Sequence, residues 1–87
     1  MEHYKKNIII RLNRIEGQIR GIKGMIEDEA ECQEILTQIA AVRAAVGNVG
    51  LLVFERHAHN CIRQALEEGE EEQKFTEIVG MMNRLIK

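Results

Sequence analysis

The chain has 87 residues, of which 45% are apolar and 30% are charged, and this composition excludes an intrinsically disordered protein. It contains no Pro or Trp and few aromatic residues, which predicts an all-α fold built by residues 1–87 as a single domain. The formal net charge of −2 excludes a uniformly basic protein, but six of the 12 Lys and Arg residues lie within the first 24 positions.

Targeting signals and membrane spans are not apparent in the sequence. The longest apolar run covers residues 49–54, far short of the roughly 20 residues that cross a membrane. The run after the first lysines, residues 8–10, is too short for a signal peptide. We therefore expect a cytoplasmic protein with no membrane partner. Its two cysteines would be free thiols or metal ligands and not a disulfide.

The first predicted element is an amphipathic helix that ends at the acidic segment 27–31. Its apolar residues recur every three or four positions, which places them on one helical face. Glycines within it weaken the isolated helix by roughly 1 kcal/mol each, so tertiary packing must hold it. The apolar positions are Ile8, Leu12, Ile15, Ile19, Ile22 and Ile26.

The second element is predicted to be one long helix from about Glu31 to Leu66, because the apolar period continues without a residue that demands a stop. At about 1.5 Å per residue its length is on the order of 50 Å. Gly69 is expected to end it in the left-handed conformation. A shorter third helix follows, and its apolar side is formed by Phe75, Ile78, Val79, Met82, Leu85 and Ile86.

A helix that long, covered by two shorter ones, leaves apolar surface bare, and this predicts association. The small residues of segment 40–47 would allow two such helices to cross closely. A twofold antiparallel dimer is the simplest arrangement.

The segment His57-Ala-His-Asn-Cys61 holds a histidine and a cysteine four residues apart, which places both on one helical face. Cys32 projects from a similar face but lies roughly 43 Å away along a continuous helix. In an antiparallel dimer, Cys32 of one chain would face His57 and Cys61 of the other. Two thiolates and one imidazole form a soft, three-coordinate set of the kind that selects Cu(I).

The residues alone leave a second interpretation open. A cysteine on a cytosolic helix is usually a small buried apolar residue, and a surface histidine is usually solvated. His59 points to nearly the opposite side of the helix and is not expected to be a ligand. Cys32 favours the metal site, because its acidic and weakly apolar surroundings are unusual for a core cysteine.

Three motifs together resemble the copper-sensing operon repressor (CsoR) family over essentially the whole chain. They are Arg11–Gln18 (RLNRIEGQ), Gln38–Arg43 (QIAAVR) and the set of Cys32 with His57-x-x-x-Cys61. The resemblance implies an all-α dimer that assembles into a tetramer, binds operator double-stranded DNA without metal, and releases it when Cu(I) binds. Cys32, His57 and Cys61 match the family's copper ligands. Glu77 matches an acid that accepts a hydrogen bond from the ligand histidine.

The family has no helix-turn-helix, so DNA binding is expected to rest on basic residues of the first helix. Such residues mainly contact phosphates and give a salt-dependent affinity. Arg11, Arg14 and Arg43 match positions implicated in DNA binding in the family, and Lys5 and Lys6 would extend the same basic band.

Related activities remain as alternatives. The persulfide sensors of the family lack the ligand histidine, so His57 favours a metal. Nickel sensors add an N-terminal histidine, and His3 is a candidate for it. Glu31 stands where many copper sensors have Tyr, which puts part of their allosteric network in doubt. Outside the family, a cytosolic copper buffer or a purely structural helical oligomer fits the same residues. An enzyme is not expected, since no acid–base pair, nucleophile triad or phosphate loop is present.

Overall fold

The structure is a computed structural model that describes residues 2–86. It contains three helices, α1 at Glu2–Glu27, α2 at Cys32–Glu68 and α3 at Glu71–Ile86, and no strand occurs among the described residues. The predicted all-α fold with one long central helix is confirmed. The start and end of α2 differ from the expected Glu31 and Leu66 by only one or two residues.

The described residues form two compact units, one extending to Val49 and the other starting at Gly50. The boundary falls inside α2 and not in a linker. A single domain for residues 1–87 stays a prediction.

The α1–α2 turn is a Schellman motif with a glutamate at the position where glycine is usual. The Ala30 N–H donates to the Met25 carbonyl at 2.9 Å, and the Glu29 N–H donates to the Ile26 carbonyl at 3.2 Å. Glu29 has φ 56°, in the left-handed region that disfavours residues with a Cβ. The helix break predicted at residues 27–31 is therefore present, but it is made by hydrogen bonds and not by a glycine.

The α2–α3 turn has the glycine expected from the sequence. Gly69 has φ 75°, and its N–H donates to the Ala65 carbonyl at 2.8 Å, which closes the last turn of α2 in a left-handed cap. α3 then begins at Glu71, and Glu71 and Glu72 favourably occupy the positive end of its dipole.

In the second unit, α3 packs closely against α2 next to the predicted ligands. A Cβ atom on Gly50 would lie 2.6 Å from Leu85 Cδ1, so a glycine allows this contact between the two helices. Further along α2, Cys61 and Ala65 are buried, with 3% and 7% exposure. This packing fixes one face of α2 against α3.

The single chain buries very little apolar surface. Among the described residues the buried apolar ones are Ile15, Val49, Cys61 and Ala65, and the apolar stripe of α1 is half open. Large apolar side chains of α2 are also exposed, including Leu51 at 50% and Ile62 at 53%. Exposed apolar surface of this extent favours association with a partner over a monomeric protein.

By length and composition α2 is also apolar enough to span a membrane. Its most apolar 18-residue window has a mean hydropathy of 1.5, and 6% of that window is buried. The longest unbroken apolar run in the sequence does not reveal this property, because Thr, Gln, Asn and Arg43 interrupt the run without making the helix polar. The core helix of a helical assembly has the same composition, so the property alone does not identify a membrane protein.

Candidate metal centre

The imidazole of His57, the thiol of Cys61 and the carboxylate of Glu77 form a cluster between α2 and α3. One ligand atom from each residue lies within 4.8 Å of the other two, which is close enough for all three to reach one ion. The helix repeat places His57 one turn before Cys61 on α2, and α3 supplies Glu77.

The carboxylate of Glu77 faces both side chains of α2. Its Oε1 lies 3.9 Å from Cys61 Sγ, within reach of a weak S–H···O hydrogen bond. Its Oε2 lies 3.9 Å from His57 Nε2, too far for an N–H···O hydrogen bond but reached by a shift of about 1 Å. Glu77 is therefore in position for the contact with His57 that the family resemblance implied. The Lys74 ammonium also lies near this carboxylate, 3.8 Å from Oε1.

Exposure differs across the cluster in a way that suits metal capture. Cys61 is 3% exposed, so its sulfur has a fixed position within the packed helices. The side chains of His57 and Glu77 are 52% and 46% exposed and open toward the surface. A buried sulfur with an accessible imidazole offers one rigid and one adaptable donor to an ion that arrives from outside.

Cys32 lies at the N-terminus of α2 as an exposed free cysteine and is not a member of this cluster. Both cysteines lie on α2, but in different compact units of the chain. The structure thus brings together two of the three predicted ligands and Glu77. Ligation of a metal by Cys32, His57 or Cys61 stays a prediction.

The other histidines lie outside the cluster. His59 is exposed on a different face of α2, where it lines an open groove with Phe54, Ile62 and Leu66. His3 is exposed in the first turn of α1.

Two of the predicted DNA-binding residues line one small cavity in the first unit. Arg11 and Arg14 lie beside Gln18 and Asn48 around a volume of about 120 Å³. The Arg11 Nε donates a hydrogen bond to Asn7 Oδ1 at 3.0 Å, which holds its guanidinium along α1. The remaining predicted residues, Lys5, Lys6 and Arg43, are exposed and do not line this cavity.

Three polar neighbours were not selected from the sequence. Gln18 and Asn48 share the arginine cavity, and Lys74 contacts Glu77. The spacing of Lys74 and Glu77, three residues apart on a helix, is the one sequence signal that could have indicated their contact.

Comparison with known proteins identifies relatives over the whole fold. The family model described as metal-sensitive transcriptional repressor matches residues 4–84. The copper-sensing transcriptional repressor CsoR of Bacillus subtilis is 45% identical over 83 residues, which are 95% of this chain and 82% of that protein. The copper-sensing transcriptional repressor RicR of Mycobacterium tuberculosis is 45% identical over 65 residues, 75% and 68% of the two chains.

Two solved structures have the same fold. The copper-sensing repressor CsoR with Cu(I) from Geobacillus thermodenitrificans superimposes with a TM-score of 0.88 at 41% identity, covering 100% of this chain and 91% of that one. The nickel-responsive transcriptional regulator InrS superimposes with a TM-score of 0.87 at 40% identity, covering 92% and 90%. The likeness therefore extends to regulators of two different metals.

Proposed function

Because the chain belongs to the family of metal-sensitive transcriptional repressors, which are not enzymes, we propose that it is a Cu(I)-responsive repressor. It binds operator DNA in the cytoplasm when metal-free and is released when Cu(I) binds, which derepresses copper-efflux or copper-homeostasis genes. The observation that carries the proposal is the convergence of His57 and Cys61 on one face of α2, with Glu77 of α3 beside them.

The proposed ligands are Cys32 of one subunit with His57 and Cys61 of the other. The donor set fits Cu(I), because two thiolates and one imidazole are soft ligands and provide three positions. The exposed position of Cys32 supports this assignment, since its thiol is accessible to a second copy of the chain. An antiparallel dimer, which pairs further into a tetramer, supplies that second copy.

Glu77 is the proposed link between the metal ligands and α3. A hydrogen bond from His57 to its Oε2 would fix the orientation of the imidazole ring, and it would pull α3 toward α2. Metal binding and DNA binding are thereby coupled through the packing of α3. Couplings of this kind are typically about 1–3 kcal/mol and are reciprocal, so DNA also weakens metal binding.

DNA contacts are assigned to four basic residues of α1 and one of α2, namely Lys5, Lys6, Arg11, Arg14 and Arg43. Arg11 and Arg14 present guanidinium groups from one cavity, and such groups suit phosphate oxygens. Symmetry would repeat the basic band on every subunit. Lys5 and Lys6 add charge at the start of α1.

The test is an anaerobic titration of Cu(I) into a complex of the protein with a fluorescent promoter fragment, followed by anisotropy. We expect wild-type protein to dissociate at one Cu(I) per subunit. Cys32→Ala should bind the fragment with unchanged affinity and stay bound, because the variant lacks one ligand but no DNA contact. Release of Cys32→Ala from the fragment by Cu(I) would refute the role of Cys32. Failure of the wild type to bind the fragment would refute DNA binding and favour a cytosolic copper buffer instead.

A nickel-responsive repressor is the second candidate, favoured by the likeness to InrS. The same titration with Ni(II) discriminates between the two. Release by Ni(II) and not by Cu(I) would assign the sensor to nickel, and loss of that release in His3→Ala would place His3 among the ligands.

X-ray absorption of the Cu(I)-loaded protein tests the proposed ligand set. It should give three-coordinate Cu(I), with two sulfur neighbours and one nitrogen neighbour.

A further inference from the structure

Lys74 contacts the metal cluster but has no part in the proposed ligand set. Its ammonium lies 3.8 Å from Glu77 Oε1, the oxygen that also faces the Cys61 thiol. Only 19% of the Lys74 side chain is exposed, against 46% for Glu77. The lysine therefore lies along the helix surface beside the cluster and does not extend into solvent.

Helix energetics do not account for this lysine. Lys74 is in the first turns of α3, where the positive end of the helix dipole disfavours a cation. A lysine that precedes its glutamate is also the weaker orientation of such a pair. Half-exposed ion pairs contribute little to stability in any case. The stability that the contact with Glu77 adds to α3 is therefore small, and an additional role beside the cluster is compatible with it.

Coordination by Glu77 would change the donor set of the site, and with it the metal that the site prefers. His57, Cys61 and Glu77 of one subunit offer nitrogen, sulfur and oxygen donors within 4.8 Å, a set that suits divalent ions such as Zn(II), Co(II) and Ni(II). The set proposed for Cu(I) has the thiolate of a second Cys32 in place of this carboxylate. Entry of Glu77 into coordination would thus favour a divalent ion over Cu(I).

We propose that Lys74 is a positioning residue that determines metal specificity by keeping the Glu77 carboxylate out of the coordination sphere. It holds Oε1, so that Oε2 remains directed at His57. Its positive charge also repels a divalent ion twice as strongly as a monovalent one at the same distance. The inference rests on the proposed function, because it takes His57 and Cys61 as ligands.

The test compares wild-type protein with Lys74→Met, which keeps an unbranched side chain of similar length without the charge. Zn(II) and Co(II) affinities are measured by competition with a chromophoric chelator, and Co(II) coordination is followed by its absorption spectrum. We expect Lys74→Met to bind both divalent ions about 10-fold more tightly, in the range typical of residues that orient ligands. Thiolate-to-cobalt and tetrahedral bands should appear or intensify. Cu(I) affinity should change less than the divalent affinities.

Three further variants isolate the cause. Lys23→Met removes an equal charge from an exposed position on α1 and should leave the divalent affinities unchanged. Lys74→Arg keeps the charge and should behave as the wild type. Lys74→Met combined with Glu77→Gln should return to the weaker divalent affinity, because the amide is a much poorer ligand.

The outcomes separate this inference from the proposed function. Unchanged Zn(II) and Co(II) affinities in Lys74→Met, with wild-type Cu(I) binding intact, overturn the role of Lys74 alone. Tighter divalent binding that persists in the double variant with Glu77→Gln also overturns it, since the carboxylate would then not be responsible. Failure of wild-type protein to bind Cu(I) refutes the proposed function itself.

Discussion

Cys61 has features of both interpretations that the sequence left open. It is 3% exposed, as a small buried apolar residue would be, and its sulfur nevertheless faces Glu77 at 3.9 Å beside His57. Burial of the thiol does not exclude ligation, because the side chains of His57 and Glu77 beside it are 52% and 46% exposed. The ligand role of Cys61 stays a prediction.

The arginines of α1 give a prediction at the same scale. Arg14→Ala should weaken binding to the promoter fragment, because the variant neutralises fewer DNA phosphates. The slope of log affinity against log salt concentration should become shallower by about one for each phosphate that the variant leaves unneutralised. Fluorescence anisotropy at several salt concentrations measures both quantities.

Arg63→Ala is the matched control for Arg14→Ala. Arg63 is exposed on the second half of α2 and has a long 3.4 Å contact with Asn60, so the substitution removes an equal charge outside the basic band. Equal salt slopes for the two variants would contradict the assignment of Arg14 to DNA.

At the scale of elements, the two interhelical turns share a left-handed backbone conformation but use different residues to adopt it. Both require a left-handed residue after the helix, which is Gly69 after α2 and Glu29 after α1. Gly69 could be identified from the sequence, because glycine is the usual residue there. Glu29 could not, because its conformation follows from hydrogen bonds of the turn and carries a conformational cost that its residue type does not reveal.

Gly69→Ala should lower the free energy of unfolding by about 1 kcal/mol, since a Cβ disfavours φ 75°. Gly80→Ala provides the contrast, because Gly80 lies inside α3 with open space around it and should gain up to about 1 kcal/mol from helix propensity. Urea denaturation at one protein concentration gives both values. A decrease of stability in Gly80→Ala equal to that in Gly69→Ala would contradict the assignment of strain to the turn.

At the scale of the whole molecule, the exposed apolar surface bears on the oligomeric state of the protein. A chain of 10.0 kDa whose long helix exposes Val46, Leu51 and Val53 by nearly half requires a partner surface. Membership of a family of transcriptional repressors favours other copies of the chain, and not lipid, as that partner. We therefore expect the apolar stripes of α1 and α2 to be covered by other copies of the chain.

Leu51→Glu should disrupt association, because a charge would be buried against the apolar surface of another copy. Sedimentation equilibrium should give a multiple of 10.0 kDa for the wild type and a smaller mass for the variant. The thermal midpoint of the wild type should rise with protein concentration, as expected when folding and assembly are linked.

Gln73→Glu introduces the same charge at an exposed polar position of α3 and should leave the mass unchanged. A wild type that sediments as a monomer would contradict the oligomer.

The sequence by itself determined the three helices and the candidate ligands on α2. Helical periodicity, the lack of proline and the glycine at position 69 are local properties of the sequence. They directly determine where backbone hydrogen bonds of a helix form and which side chains share its apolar face. The sequence also indicated His57 and Cys61 as neighbours, because residues four apart on a helix share a face.

Only the tertiary structure decided which residues of α3 meet that face. Glu77 lies beside His57 and Cys61, because Gly50 allows α3 to approach α2 and Gly69 sets the turn between them. This contact depends on how two helices pack in three dimensions, and the apolar periodicity of the sequence does not specify that packing.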